Sequence, residues 1–322
     1  MHQNLATWQF IQHSIHVKIP VMLLYVLQSN GSSPGRQGFM MAVNKDGILQ
    51  GSLGGGIMEY KFVTLAKERL QQPKITASVH LQIHDKAAPS HQSGMICSGE
   101  QTIFIYQVLP SDISTINAIV QSLLLNKNGT LQLSNTGIVF TNDVPDCNFL
   151  FTTTKATFQF IQKTGYHQTL CIIGAGHCAL ALAKLMSEMD FYIKIFDERH
   201  DLNTMVQNTF VHQKCILDSY ANLNTVLQSD VNTYIVVMTF GYRTDDIAVR
   251  ALMHQPFAYF GLLGSKAKIY KMFETYKSEG IATTLLKTIH APIGIPIKSQ
   301  TPQEIAISIA AEIIKVKNQA LP

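Results

Sequence analysis

Thr169-Leu170-Cys171-Ile172-Ile173-Gly174-Ala175-Gly176-His177-Cys178-Ala179 is the stretch that decides the fold. A short apolar run of this kind reads as a buried strand. The glycines that follow permit positive φ and let backbone N–H groups approach a ligand closely. Apolar residues then resume at helical spacing over Cys178–Met189. Strand, glycine turn and helix in this order give Gly174-x-Gly176-x-x-Ala179 the context of a Rossmann fingerprint in its G-x-G-x-x-A form. A second strand, Phe191–Phe196, ends at Asp197, about 20 residues beyond the glycines, where an acid can hydrogen-bond a ribose 2′-hydroxyl.

Working outward, the alternation continues. Thr233–Thr239 reads as a strand, Thr244–Met253 as a helix, Phe257–Leu263 as a strand and Lys266–Lys277 as a helix. This alternation predicts a parallel sheet covered on both faces. The last helix has a capping box, with Thr301 as N-cap, Pro302 at N1 and Glu304 at N3. Ile305, Ile309 and Ile313 form its apolar stripe.

Upstream lies a second glycine run, Gly51-Ser52-Leu53-Gly54-Gly55-Gly56-Ile57-Met58-Glu59. It is denser than a turn requires, because consecutive glycines lose much backbone entropy on ordering. An oxyanion packed against the backbone explains it, and so does a sharp strand-to-helix turn packed on another element. Around it we expect a helix over 4–16, a buried strand over 19–28, short strands over 40–43 and 48–50, a helix over 55–71, and strands near 79–84 and 101–109. Residues 142–166 carry few signals and are expected to contain the crossover. The fold class is thus α/β: an N-terminal mixed α/β domain over 1–150, then a C-terminal Rossmann-like doubly wound parallel sheet over 151–322.

The chain has 322 residues, enough for two domains. Charged residues make up 14% and the net charge is +4, with no Lys/Arg cluster of the kind that tracks a nucleic-acid backbone. The low charge suits a surface partly covered by a partner, and a homodimer is expected. The start, Met1-His2-Gln3-Asn4-Leu5, does not read as a signal peptide, and no apolar run reaches the ~20 residues of a membrane span. The five cysteines show no CxxC spacing, which suits a reducing cytoplasm.

Candidate site residues follow from chemistry. Cys97 sits in a glycine-flanked loop, His91-Gln92-Ser93-Gly94-Met95-Ile96-Cys97-Ser98-Gly99-Glu100. It is a candidate soft-metal ligand or sulfur carrier, or else a small buried hydrophobe. Cys178 is the second candidate thiol. Gly54, Gly55, Gly56 and Glu59 form the first candidate cofactor cradle. Gly174, Gly176, His177, Asp197 and Arg199 form the second, with Asp197 suited to a free ribose and Arg199 to a phosphate. Thr239, Arg243 and Asp246 follow the strongest strand, where Asp245 and Asp246 also suit a capping role. Gly264 and Ser265 lie at the next strand end. Ser265 suits an N-cap, Lys266 an anion and His290 a ligand contact. No zincin, nucleophile-elbow or Walker A motif is present.

Taken together, these segments resemble the XdhC/CoxI family, accessory factors of molybdenum hydroxylases such as xanthine dehydrogenase. The resemblance rests on Gly31-Ser32-Ser33-Pro34, Gly51–Gly56 with Glu59, Gly94–Glu100, Gly174–His177, Asp197-Glu198-Arg199, Gly261-Leu262-Leu263-Gly264-Ser265 and Thr301–Ala306. It implies a chaperone for molybdenum cofactor, the molybdopterin complex, held between the two domains. Cys97 would face the metal or carry sulfur, in the role of catalytic residue and metal ligand. It further implies sulfuration with a cysteine desulfurase and delivery to an apo molybdenum hydroxylase. The Rossmann crevice would hold a nucleotide or a dinucleotide such as NAD(P). The chain departs from the family pattern where Cys97-Ser98-Gly99 replaces a frequent Cys-Gly-Gly and where Phe240 replaces a frequent His. The competing reading is an NAD(P)-dependent oxidoreductase that uses the C-terminal domain.

Overall fold

A computed structural model describes residues 4–72, 77–83, 99–154, 156–227 and 230–319. Among these, the chain forms two compact units that divide between Gly165 and Tyr166.

The first unit contains α1 (Leu5–His16), β1 (Val21–Gly31), β2 (Met40–Asn44), β3 (Leu49–Gly51), α2 (Gly56–Arg69), β4 (Ser78–Ile83), β5 (Gly99–Val108) and α3 (Ile113–Leu124). It continues through β6 (Gly129–Ser134), β7 (Gly137–Thr141), β8 (Phe149–Thr153) and β9 (Phe158–Thr164). An antiparallel sheet runs β3-β2-β1-β5-β4, and a second runs β7-β6-β9-β8.

The apolar run of β1 is explained by its central place and by burial on both faces. Met22, Leu24 and Val26 pack with Met58 and Phe62 of α2. Leu23, Tyr25 and Leu27 pack the other way, with Trp8, Ile116, Leu133 and Phe160. Side chains of successive strand residues point to opposite faces, so each set joins a separate core.

One expectation is corrected here. Residues 142–166 do contain the passage from the first unit to the second, at Gly165–Tyr166, but most of them form β8 and β9, which complete the first unit's second sheet. Their alternating pattern is short and interrupted by polar residues, which hid it. For the same reason the unit extends past the expected 150/151 boundary, which would cut β8.

The second unit contains β10 (Gln168–Ile173), α4 (His177–Met186), β11 (Phe191–Asp197), α5 (Asn203–Gln207), β12 (Gln213–Ile216), α6 (Leu223–Val226) and β13 (Thr233–Val237). It ends with α7 (Tyr242–Leu252), β14 (Tyr259–Leu262), α8 (Lys266–Ser278), α9 (Thr283–Leu286) and α10 (Pro302–Gln319). Its sheet is parallel, in the order β12-β11-β10-β13-β14. Leu170 and Ile172 pack with α4 and α10 on one face. Cys171 and Ile173 pack with α7 and α8 on the other. The doubly wound parallel sheet is therefore present. Thr301 and Glu304 bond reciprocally at the start of α10, at 3.2 Å each way, as the capping box requires. No helix among the described residues is long and apolar enough to cross a membrane.

An aromatic cluster near the start of this sheet gives a pH test. The Ile193 N–H donates to His212 Nδ1 at 2.9 Å. The ring proton is therefore placed on Nε2, which bonds the Tyr166 hydroxyl at 2.7 Å. Tyr192 stacks on the ring at 4.8 Å. Burial holds the His212 pKa down at about 4, below its ordinary 6.5. The unfolded chain then binds the proton more readily, so stability is full above pH 6.5 and is lost as the pH falls toward 4. Because His212 is half-buried, the loss expected is about 1–2 kcal/mol over this window, short of the full linkage value. Denaturant titrations from pH 7 to 4 should show a drop that is smaller by this amount in His212→Phe. An equal drop in the variant would refute the assignment.

Candidate functional site

In the parallel sheet the chain turns one way from β10 to β11 and the other way from β13 to β14. The carboxyl ends of β10 and β13 thus flank a topological switch point, where open α/β sheets bind ligands. Gly174 leaves β10 with φ +104°, and its N–H donates to the Phe196 carbonyl at 2.7 Å. A Cβ here would fall 2.8 Å from the Met238 carbonyl carbon, so close packing of β10 on β13 requires glycine. Gly176 differs, because a Cβ there would meet nothing within 4 Å. His177 opens α4, is exposed, and lines a cavity of about 620 Å³ with Leu180, Lys184, Phe210 and Ile307.

Asp197 ends β11 and is fully buried, at 0% exposure. Its Oδ2 accepts from the Ala175 N–H at 2.7 Å and from Arg199 Nη2 at 2.7 Å. Its Oδ1 accepts from the Arg199 N–H at 3.0 Å and from Arg199 Nε at 2.8 Å. A carboxylate offers about four acceptor positions, and all are filled. Burial alone would raise the Asp197 pKa, but the Arg199 guanidinium and the two amides outweigh it and hold it below the usual range. The expected free-ribose contact is therefore corrected: Asp197 clamps the glycine turn instead. Arg199 is likewise engaged, and its guanidinium also lies over the Phe240 ring, 4.9 Å from the centroid.

Beyond β13, the Thr239 N–H and hydroxyl donate to Asp245 Oδ1 at 2.9 and 2.6 Å. Asp245 is 0% exposed and ion-paired to Lys268, whose ammonium also reaches the Leu263 carbonyl at 3.1 Å. Asp245 thus ties the end of β13 to α8. Asp246 pairs with Arg250 at 3.1 Å, while Arg243 is exposed. Ser265 caps α8 by accepting from the Lys268 N–H at 3.2 Å, and Gly264 precedes it. His290 lies 3.5 Å from Glu312, which anchors α10 by accepting from Tyr259 and the Gly294 N–H. Sequence reasoning missed Lys268. Its signal was a cation in the first turn of a helix, where the dipole disfavours it unless an acid is near.

In the first unit the glycine bend holds an anion of its own. Glu59 Oε2 accepts from Ser52 Oγ at 2.7 Å, the Leu53 N–H at 2.8 Å and the Gly55 N–H at 3.0 Å. The Gly54 N–H donates to Ser52 Oγ at 2.9 Å. Glu59 is therefore no free ligand contact, and the amides expected to grip a phosphate grip its carboxylate. The reason is local: Glu59 sits in the first turn of α2, within reach of the bend and favoured by the dipole.

Three segments meet at this end of the first sheet. A Cβ on Gly54 would fall 2.8 Å from the Gly35 Cα. The buried Gln101 donates to the Gly35 carbonyl at 2.7 Å. Gly99 is closed in by Ser32 and Asn30, with a Cβ there only 2.8 Å from the Asn30 carbonyl oxygen. Cys97 itself lies outside the described residues. Among the described residues, no group of three or more His, Cys, Asp or Glu is arranged to hold a metal ion.

Comparison with known proteins fits this division. Residues 170–313 match the XdhC Rossmann domain, and residues 15–80 match the XdhC and CoxI family. An uncharacterized Escherichia coli K12 protein, YqeB, is 27% identical over 305 residues, 94% of this chain and 44% of its own length. A Bacillus subtilis 168 protein described as a probable xanthine dehydrogenase subunit is 25% identical over 166 residues, 51% of this chain and 48% of its own. The chain thus spans about half the length of the curated relatives it matches. A crystal structure from Bacillus halodurans, described as a xanthine dehydrogenase, superposes with a TM-score of 0.71 at 20% identity, covering 98% of this chain and 96% of that one. It shares the fold. With residues 15–80 of the first unit and 170–313 of the second matched, the chain belongs to the XdhC and CoxI family.

Proposed function

We propose that this chain is a cytoplasmic accessory factor that binds molybdenum cofactor, supports its sulfuration with a cysteine desulfurase and aids its insertion into a xanthine-dehydrogenase-type hydroxylase. It acts as a maturation chaperone rather than as a turnover enzyme. The observation that carries the reading is the meeting of residues 31–35, 51–56 and 99–101 at one end of the first sheet, since Gly99 lies just after Cys97 in the chain. The Bacillus subtilis relative, described as a probable xanthine dehydrogenase subunit, supports the choice of partner.

One part of the expectation does not fit. The cofactor carries a phosphate, and the Ser52–Gly55 bend already holds the Glu59 carboxylate. No role for the bend as a phosphate cradle is proposed. The reading turns on Cys97.

The test is retention of molybdenum by protein purified from a molybdenum-replete host, read by metal analysis, together with activation of an apo-hydroxylase. Cys97→Ala should lower both while leaving thermal unfolding unchanged. Equal retention and equal activation in the variant would reject the reading.

A further inference from the structure

The Rossmann crevice of the second unit is crossed by a side chain. Arg199 starts beyond the end of β11, and Phe240 starts beyond the end of β13. In the sheet β10 lies between these two strands. The guanidinium of Arg199 nevertheless stacks on Phe240, so the contact spans the carboxyl end of β10 and its glycine turn. Phe240 is 64% exposed. Burial does not explain its position, whereas the stack gives it a contact.

We propose that Arg199 takes the place that a Rossmann crevice offers to a ribose diol, and that it thereby makes this crevice discriminate against NAD(H). For Asp197 to accept a ribose hydroxyl, it must release one of its four bonds. Two come from backbone amides fixed by the β10 turn and by residue 199 itself. Only the guanidinium bonds can be surrendered. That pair is bidentate and charge-assisted, and a hydroxyl–carboxylate bond replaces it at a loss. The stack on Phe240 holds the guanidinium further in place. The sequence pattern of glycines and acid is thus that of a dinucleotide site, while the acid's acceptor positions are closed from within. The proposal rests on the second unit alone and stands whether or not Cys97 acts on molybdenum.

The experiment is titration of full-length protein with NADH and NADPH, followed by cofactor fluorescence, for the natural chain, Arg199→Gln and Phe240→Ala. Far-UV circular dichroism and melting check that each variant is folded. The natural chain should bind NADH with Kd above ~1 mM. Arg199→Gln should bind NADH roughly tenfold more tightly. Phe240→Ala should gain about threefold, the share of an exposed cation–π contact. NADPH should gain little, because its 2′-phosphate meets the freed Asp197 carboxylate. Tight NADH binding by the natural chain, folded variants with no gain, or an equal gain for NADPH would each overturn the proposal. Should Arg199→Gln not fold, Phe240→Ala decides, since it leaves the Asp197 carboxylate and its bonds untouched.

Discussion

Replacing Lys268 with methionine should destabilise the second unit by about 3 kcal/mol. The ammonium pairs with Asp245, which is fully buried and receives two further bonds from Thr239. Methionine keeps most of the aliphatic stem, so the loss reports the charge. The carboxylate is left buried without its cation, which is the costly way to break such a pair. Asp245→Asn in the same background should recover part of the loss, because the amide oxygen still accepts from Thr239. A double-mutant cycle should give a coupling of about 1–3 kcal/mol. Denaturant unfolding followed by far-UV circular dichroism measures the loss. A Lys268→Met protein within about 0.5 kcal/mol of the natural chain would show that solvent screens the pair.

This pair marks where the sequence stopped being readable. The second unit was legible because its rules are local. Apolar runs, glycine turns and caps recur in order, and each expected strand and helix formed within a few residues of its expected limits. The parallel sheet then followed from strand–helix alternation. The short β12 and the helices around it carried no such run and went unseen. The first unit's second sheet stayed hidden for a related reason. Its strands are short and pair antiparallel across a long separation in sequence, as β6 with β9.

The candidate site was legible in position and less so in partnership. Glycines at 54 and 174 mark turns where packing forbids a side chain, and both were singled out. What the pattern did not show is that acids placed to serve a ligand are consumed internally. Glu59 fills the bend before α2, and Asp197 is filled by Arg199. Spacing tells which residues can reach a turn. It does not say whether a neighbouring carboxylate or a foreign anion arrives there first, since both answer to the same amides and the same helix dipole. Phe240 illustrates the point. Its exposure and its stack on Arg199 depend on two strands being separated by a third, which is a property of the sheet.

Gly54→Ala should lower the stability of the first unit by about 3–4 kcal/mol. Two costs combine. The residue has φ +116°, which side chains rarely adopt, and the added methyl would meet the Pro34–Gly35 backbone. Backbone cannot swing aside as a side chain can. Gly55→Ala separates the two costs, because a Cβ there meets nothing within 4 Å although φ is +80°. It should lose only about 1–3 kcal/mol. The sole tryptophan, Trp8, is buried in the first unit, and its fluorescence reads both variants there. The displacement also has a route onward. Gly35 is held through its carbonyl by Gln101 of β5, and Gly99 at the start of β5 is closed in by Ser32. Pushing Pro34 and Gly35 away from the bend therefore pulls on the strand that begins just after Cys97. On the proposed function, Gly54→Ala should cost molybdenum retention at temperatures where the first unit is still folded, whereas Gly55→Ala should cost less. Equal stability of the two alanine variants would mean that the contact with Gly35 does not constrain the bend, and the coupling of the bend to the start of β5 would be lost.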